Sequence, residues 1–69
     1  MTAPQILSEL RTRLGKTQSD VARDLGLPKS LISMYEAGLR NPSDANKKKL
    51  ADYYGSSVSH IFFADDVTN

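Results

Sequence analysis

The 69-residue chain contains no cysteine, so no disulfide bond stabilises its fold and no thiolate can bind a metal or act as a nucleophile. Its one histidine, His60, leaves no credible zinc site. No apolar run is long enough to cross a membrane, and the N-terminus lacks the basic and then apolar order of a signal peptide. These absences predict a cytoplasmic protein without metal, cofactor, membrane association or small-molecule ligand.

Features of enzymatic sites are equally scarce. The chain has no phosphate-binding glycine loop and no pair of carboxylates set in an apolar stretch. An enzyme is therefore the least favoured function class, and we predict no catalytic residue.

The charges are nearly balanced, with a formal net charge of +1. Two of the eight acidic residues, Asp65 and Asp66, lie in a short polar segment at the C-terminus, so residues 1–63 carry nine basic and six acidic side chains. This excess of positive charge permits nucleic-acid binding without requiring it. We predict one small domain over residues 1–63, followed by a polar tail over 64–69.

Apolar residues recur at helical spacing along the chain, and no segment alternates as a β-strand does. Glycines and capping residues separate the helical segments, with Thr17 and Ser43 as N-caps and Pro28 in the first turn of the third helix. The predicted helices span residues 3–14, 18–25, about 29–37, about 44–54, and a last short helix after Ser57. The predicted fold is therefore all-α, with five helices.

Residues 17–38 have the features of two short helices joined by a tight turn. Ala22 is small enough for the helices to cross closely, and Gly26 can adopt the positive φ of a sharp turn. Ile32 provides a β-branched anchor beneath the second of the two helices. Any helical bundle can hold such residues at its crossings, but this segment also begins with Thr-Gln and ends with Tyr-Glu-x-Gly. The combination of these residues at this spacing is a stronger indication of two helices joined by a tight turn than the glycine and apolar positions alone.

This segment resembles the helix-turn-helix of the Cro/CI (Xre-like) phage repressor family, and the resemblance covers nearly the whole chain. It implies a compact, lambda-repressor-like domain whose third helix enters the major groove of double-stranded DNA. It also implies a sequence-specific transcriptional regulator of the repressor or Cro-like type. Such a protein binds operator half-sites as a homodimer, at least on DNA.

The residues that match the family's base-reading positions are Lys29, Ser30, Ser33 and Met34. Lys29 can donate to guanine O6 and N7, the serines can contact a base edge or a phosphate, and Met34 can contact a thymine methyl group. The alternative for each is an ordinary solvated helix face. For the face as a group, the resemblance favours DNA recognition.

Other matching positions imply contacts to the DNA backbone. Gln18 matches a glutamine that meets a phosphate at a helix N-terminus, and Arg40 with Asn41 matches a second phosphate clamp. A plain surface charge is the alternative for Arg40, and it is the favoured interpretation of Lys16 and Arg23.

Arg11 and Glu36 match a family pair that ties the first helix to the end of the third. The guanidinium can meet the carboxylate through two parallel hydrogen bonds. Unrelated surface charges are the alternative.

The fourth helix departs from the family at Asp44 and Lys47, where leucines are usual. Lys47 can lay its methylene stem along apolar surface while the ammonium stays in water. We expect a thinner core at this end. The Lys47-Lys48-Lys49 run can also reach a DNA backbone, although a solvated face is the favoured interpretation.

Tyr53 and Phe63 lie off the apolar stripes and are expected to be exposed. Exposed aromatic residues in so small a domain indicate a partner surface, and the family often dimerises through its last helix. Both residues are therefore dimer candidates. The alternative is that they cover a thin core.

A second function remains open at this point, because fold alone does not fix function. The same fold can act as a protein-interaction module, such as an antirepressor or an antitoxin-type partner. A protein binder is expected to present an acidic or apolar face on the third helix, so that face discriminates between the two functions.

Overall fold

The computed structural model describes residues 2–63, which form five α-helices and no β-strand. The helices are α1 Ala3–Arg13, α2 Gln18–Leu25, α3 Lys29–Ala37, α4 Asp44–Tyr53 and α5 Val58–Phe62. The predicted all-α fold is confirmed. No helix within residues 2–63 is long and apolar enough to cross a membrane. The predicted tail over residues 64–69 lies outside the described part of the chain.

Local capping chemistry sets the start of α2. The Thr17 hydroxyl accepts a hydrogen bond from the Asp20 amide at 3.0 Å, and the Asp20 carboxylate accepts one from the Thr17 amide at 2.9 Å. Together they form a capping box that satisfies two amides near the helix N-terminus. These hydrogen bonds with Thr17 lower the pKa of Asp20, so its carboxylate stays ionised. The negative charge interacts favourably with the positive end of the helix dipole.

The turn between α2 and α3 depends on Gly26, whose φ of +68° lies in the left-handed region that favours glycine. The predicted start of α3 at about Lys29 is confirmed, although Pro28, predicted for the first turn, directly precedes the helix. Pro28 is the N-cap, because its ψ of 142° is extended and the helix begins at Lys29. The Pro28 carbonyl accepts from the amides of Leu31 and Ile32, which starts the hydrogen bonding of the helix.

The core consists of two clusters, and α3 contributes to both. Tyr35 lies in the larger cluster, with buried residues of α1, α4 and α5, and Ile32 lies in the smaller one, with Val21 and Ala22 of α2. The Tyr35 hydroxyl also accepts a hydrogen bond from Asn46 Nδ2 at 3.0 Å. Because side chains on two adjacent parts of α3 are fixed against different helices, its rotation is determined. The remaining face of α3 must point outward.

Lys47 occupies the region where a thinner core was expected. Its Nζ lies 5.0 Å from the ring centroid of Phe63 and 5.7 Å from that of Phe62. The side chain is partly buried, so its stem follows apolar surface while the ammonium rests over two aromatic rings. Lys47 thereby links α4 to the end of α5.

Of the two alternatives for Tyr53, the structure favours the one in which its ring covers the core. Its ring is partly buried against the smaller core cluster and packs edge-on against Tyr54, with ring centroids 5.1 Å apart. Its hydroxyl donates to Asp24 Oδ2 at 2.6 Å. A carboxylate on the neighbouring helix therefore gives the phenol a polar partner and turns the ring inward. Phe63, by contrast, is 41% exposed.

Candidate nucleic-acid interface

The outward face of α3 carries the predicted base-reading residues. Lys29, Ser30 and Ser33 are exposed, whereas Ile32 and Tyr35 of the same helix are buried. Met34 is partly buried, so it offers less of its surface than the other three. The exposed part of this face therefore combines one cation with two hydroxyl groups, and it is neither acidic nor apolar.

Arg11 and Glu36, which were predicted to pair, are joined by two hydrogen bonds. Arg11 Nε donates to Glu36 Oε2 at 2.8 Å and Arg11 Nη2 donates to Oε1 at 3.0 Å. Only 16% of the arginine side chain and 7% of the glutamate side chain are exposed. The hydrogen bonds with Glu36 raise the pKa of Arg11, and the guanidinium stays charged. This ion pair connects α1 to the last turn of α3.

Gln18 and Lys16 join the same network. Gln18 Nε2 donates to Glu36 Oε1 at 3.1 Å, and Arg11 Nη1 donates to the Lys16 carbonyl at 2.9 Å. The N-terminal end of α2 is therefore fixed to both α1 and α3. A primary amide has two N–H groups, so Gln18 retains a second one while the first holds Glu36.

Sequence reasoning missed both of these additional contacts. Gln18 was predicted only as a phosphate ligand, and no role was given to the Lys16 main chain. No local pattern identifies them, since Gln18 and Glu36 are 18 positions apart and the Lys16 acceptor is a backbone group.

Arg40 and Asn41 lie in the loop between α3 and α4, where both are exposed. Gly38 ends α3 with a φ of +74°, and the buried Pro42 anchors the loop before the N-cap Ser43. Within residues 2–63, Arg40 forms no ion pair. The loop that carries Arg40 directly follows the C-terminal end of α3.

The lysine run of α4 does not form one basic patch. Lys47 lies over the phenylalanine rings, Lys48 pairs with Asp52 at 3.3 Å, and Lys49 donates to the Leu25 carbonyl at 3.3 Å. The three ammonium groups therefore have different partners within the domain, so the structure does not single the run out as a phosphate-binding element.

Comparison with known proteins agrees with this geometry. A family model described as helix-turn-helix matches residues 7–61, which include α2, α3 and most of the core. An uncharacterized HTH-type transcriptional regulator of Archaeoglobus fulgidus is 30% identical over 60 residues, covering 87% of this chain and 86% of that protein. The match extends over most of both chains and includes the two helices that form the candidate interface. This chain belongs to the Xre-like helix-turn-helix family.

Proposed function

We propose that the protein is a sequence-specific transcriptional regulator that binds double-stranded DNA as a repressor or Cro-like protein, with α3 in the major groove. The observation that carries this proposal is the exposed face of Lys29, Ser30 and Ser33 on a helix held by two core clusters. A fixed helix presenting short polar side chains suits base recognition, because hydrogen bonds to base edges require defined positions. The name of the Archaeoglobus relative, an HTH-type transcriptional regulator, agrees with it.

The proposed module comprises residues 1–63, and its contacts to the DNA backbone lie on both sides of α3. Gln18 stands at the N-terminal end of α2, where unsatisfied amides and the helix dipole attract a phosphate. Arg40 and Asn41 are exposed beyond the other end of α3. Contacts of this kind set the register of the protein on DNA, while α3 supplies the sequence preference.

A protein-interaction module on the same fold is the competing function. The α3 face is polar with one cation, whereas docking of a partner protein favours an apolar centre with aromatic anchors. The composition of this face therefore favours DNA.

Two substitutions separate base recognition from phosphate binding. We expect Lys29→Ala to weaken binding to the preferred site by about 1–3 kcal/mol and to relax the preference at one base pair. We expect Arg40→Ala to weaken binding to all sequences alike and to flatten the log–log salt dependence by about one unit. Fluorescence anisotropy on specific and scrambled duplexes at several salt concentrations measures both effects.

Arg13→Ala is the matched control, because Arg13 is an exposed α1 cation paired with Glu9 and removing it changes the net charge equally. Equal losses for Lys29→Ala and Arg40→Ala on every sequence contradict the assignment of the reading face.

We further propose that the protein binds its operator as a homodimer. A single module offers few base contacts, and two-fold pairing doubles them on a pseudo-palindromic site with reading helices about 34 Å apart. Phe63, the C-cap of α5, is 41% exposed, whereas Tyr53, the other candidate, is partly buried against the smaller core cluster.

We expect Phe63→Ala to weaken self-association and to lower operator affinity while the helical content stays unchanged. Analytical ultracentrifugation and circular dichroism measure these properties. Leu14→Ala is the control, since Leu14 is another exposed apolar residue but lies at the end of α1. A Phe63→Ala protein that dimerises as the parent does excludes Phe63 from the interface, and one that unfolds assigns the ring to fold stability instead.

A further inference from the structure

One carboxylate on α2 faces two cations and a phenol. Asp24 Oδ2 accepts hydrogen bonds from Tyr53 Oη at 2.6 Å and from Lys16 Nζ at 3.4 Å. Asp24 Oδ1 lies 3.8 Å from Arg23 Nε. The hydrogen bond from Tyr53 lowers the pKa of Asp24, and the same bond raises the pKa of Tyr53 to about 12. Near neutral pH the carboxylate is therefore ionised and the phenol keeps its proton.

The proposed function places the N-terminal end of α2 beside DNA, and the backbone of Lys16 is fixed at this end. Its carbonyl accepts from Arg11 in the network that also holds Gln18. Lys16 immediately precedes the Thr17 N-cap, yet its ammonium is paired with Asp24, near the other end of the helix. Without its pairing to Asp24, the Lys16 ammonium would lie beside the phosphate that Gln18 is proposed to contact.

We propose that Asp24, positioned by Tyr53, limits non-specific DNA binding by holding the Lys16 ammonium away from the phosphates. This inference rests on the proposed function and assigns Asp24 as a determinant of the sequence-independent, salt-dependent part of DNA affinity. Each phosphate contact strengthens binding to every sequence, so a contact withheld lowers non-specific affinity without removing any base contact. Tyr53 acts through Asp24 as a positioning residue.

The test is Asp24→Asn, which removes the charge while the side chain keeps its shape and an oxygen that can accept from Tyr53. We expect affinity for a random-sequence duplex to rise roughly three- to ten-fold at low salt, and the log–log salt slope to steepen by about 0.9, the value of one added phosphate contact. The melting temperature, measured in parallel, reports on the fold.

Two control variants isolate the cause. Asp52→Asn makes the same charge change in an exposed pair with Lys48 on α4, and we expect the salt slope to stay unchanged. Tyr53→Phe removes the hydrogen bond to Asp24 but keeps the carboxylate. We expect it to give less than half of the gain in affinity for random-sequence duplex that Asp24→Asn gives.

A double variant tests whether the effect passes through Lys16. In a Lys16→Met background, Asp24→Asn should no longer change the affinity or the slope, because the released cation is absent. An undiminished gain in affinity in that background overturns the proposal. A Tyr53→Phe protein whose affinity and salt slope equal those of the parent overturns the positioning role of Tyr53.

The inference and the proposed function fail differently. If the parent protein prefers a specific site but Asp24→Asn changes neither affinity nor slope, the role of Asp24 is overturned and the regulator function stands. If neither protein binds duplex DNA, both are overturned.

Discussion

Replacing Glu36 with alanine is expected to lower the free energy of unfolding by about 3 kcal/mol. The carboxylate accepts three hydrogen bonds, two from Arg11 and one from Gln18, in a position where little of either charged side chain is exposed. Its loss leaves a guanidinium largely out of water without its anionic partner, which costs more than the loss of an exposed pair. Thermal unfolding followed by circular dichroism should show a melting temperature lower by more than about 10 °C.

Glu9→Ala is the matched control, since it also removes a glutamate from an arginine pair. Glu9 and Arg13 are spaced i, i+4 on α1, where the side chains are 39% and 70% exposed, respectively. Such pairs contribute about 0–1 kcal/mol, so Glu9→Ala should leave the melting temperature nearly unchanged. Similar losses for the two variants would show that burial gives the Arg11–Glu36 pair no added importance.

Replacing Ile32 with alanine is expected to lower the free energy of unfolding by about 3–4 kcal/mol. Ile32 is 2% exposed and packs with Val21 and Ala22 in the cluster that joins α2 to α3. Truncation removes three carbon atoms and leaves a cavity that neighbouring side chains fill only in part. Urea denaturation measures the change in the free energy of unfolding. A loss of DNA affinity at temperatures where the variant is still folded would indicate that α3 has lost its fixed rotation.

Ile32→Val provides the graded comparison, because it keeps the β-branch and removes one methylene. Its expected cost is about 0.5–1.5 kcal/mol, with DNA binding retained. An alanine variant that loses no more stability than the valine variant would contradict the view that this residue anchors α3.

Sequence alone predicted the features of this fold that depend on neighbouring residues. The Thr17 N-cap, the left-handed Gly26 and the buried Ile32 follow from capping chemistry, glycine's lack of a Cβ, and helical periodicity. Each of these signals lies within a few positions of its consequence. The resemblance to a known family then singled out α3 as the proposed reading helix, which no periodicity could have distinguished from any other amphipathic helix.

Contacts between distant segments were the part that sequence could not predict. Tyr53 lies off the apolar stripe of α4 and was expected to be exposed, but Asp24, 29 positions earlier, supplies its hydroxyl with a partner. The engagement of Gln18 with Glu36 depends likewise on how α2 and α3 meet. Polar residues at these positions could equally be solvated, so only the three-dimensional arrangement shows that they fix the helices.

Selection of bound DNA from a random duplex pool tests the central claim most directly. We expect a single enriched motif with pseudo-palindromic half-sites spaced about one helical turn, or about 34 Å, apart. The purified protein should bind that motif at least about 10³-fold more tightly than scrambled duplex at the same salt concentration. Recovery of no motif, together with equal affinity for enriched and scrambled duplexes, would contradict recognition of DNA by α3.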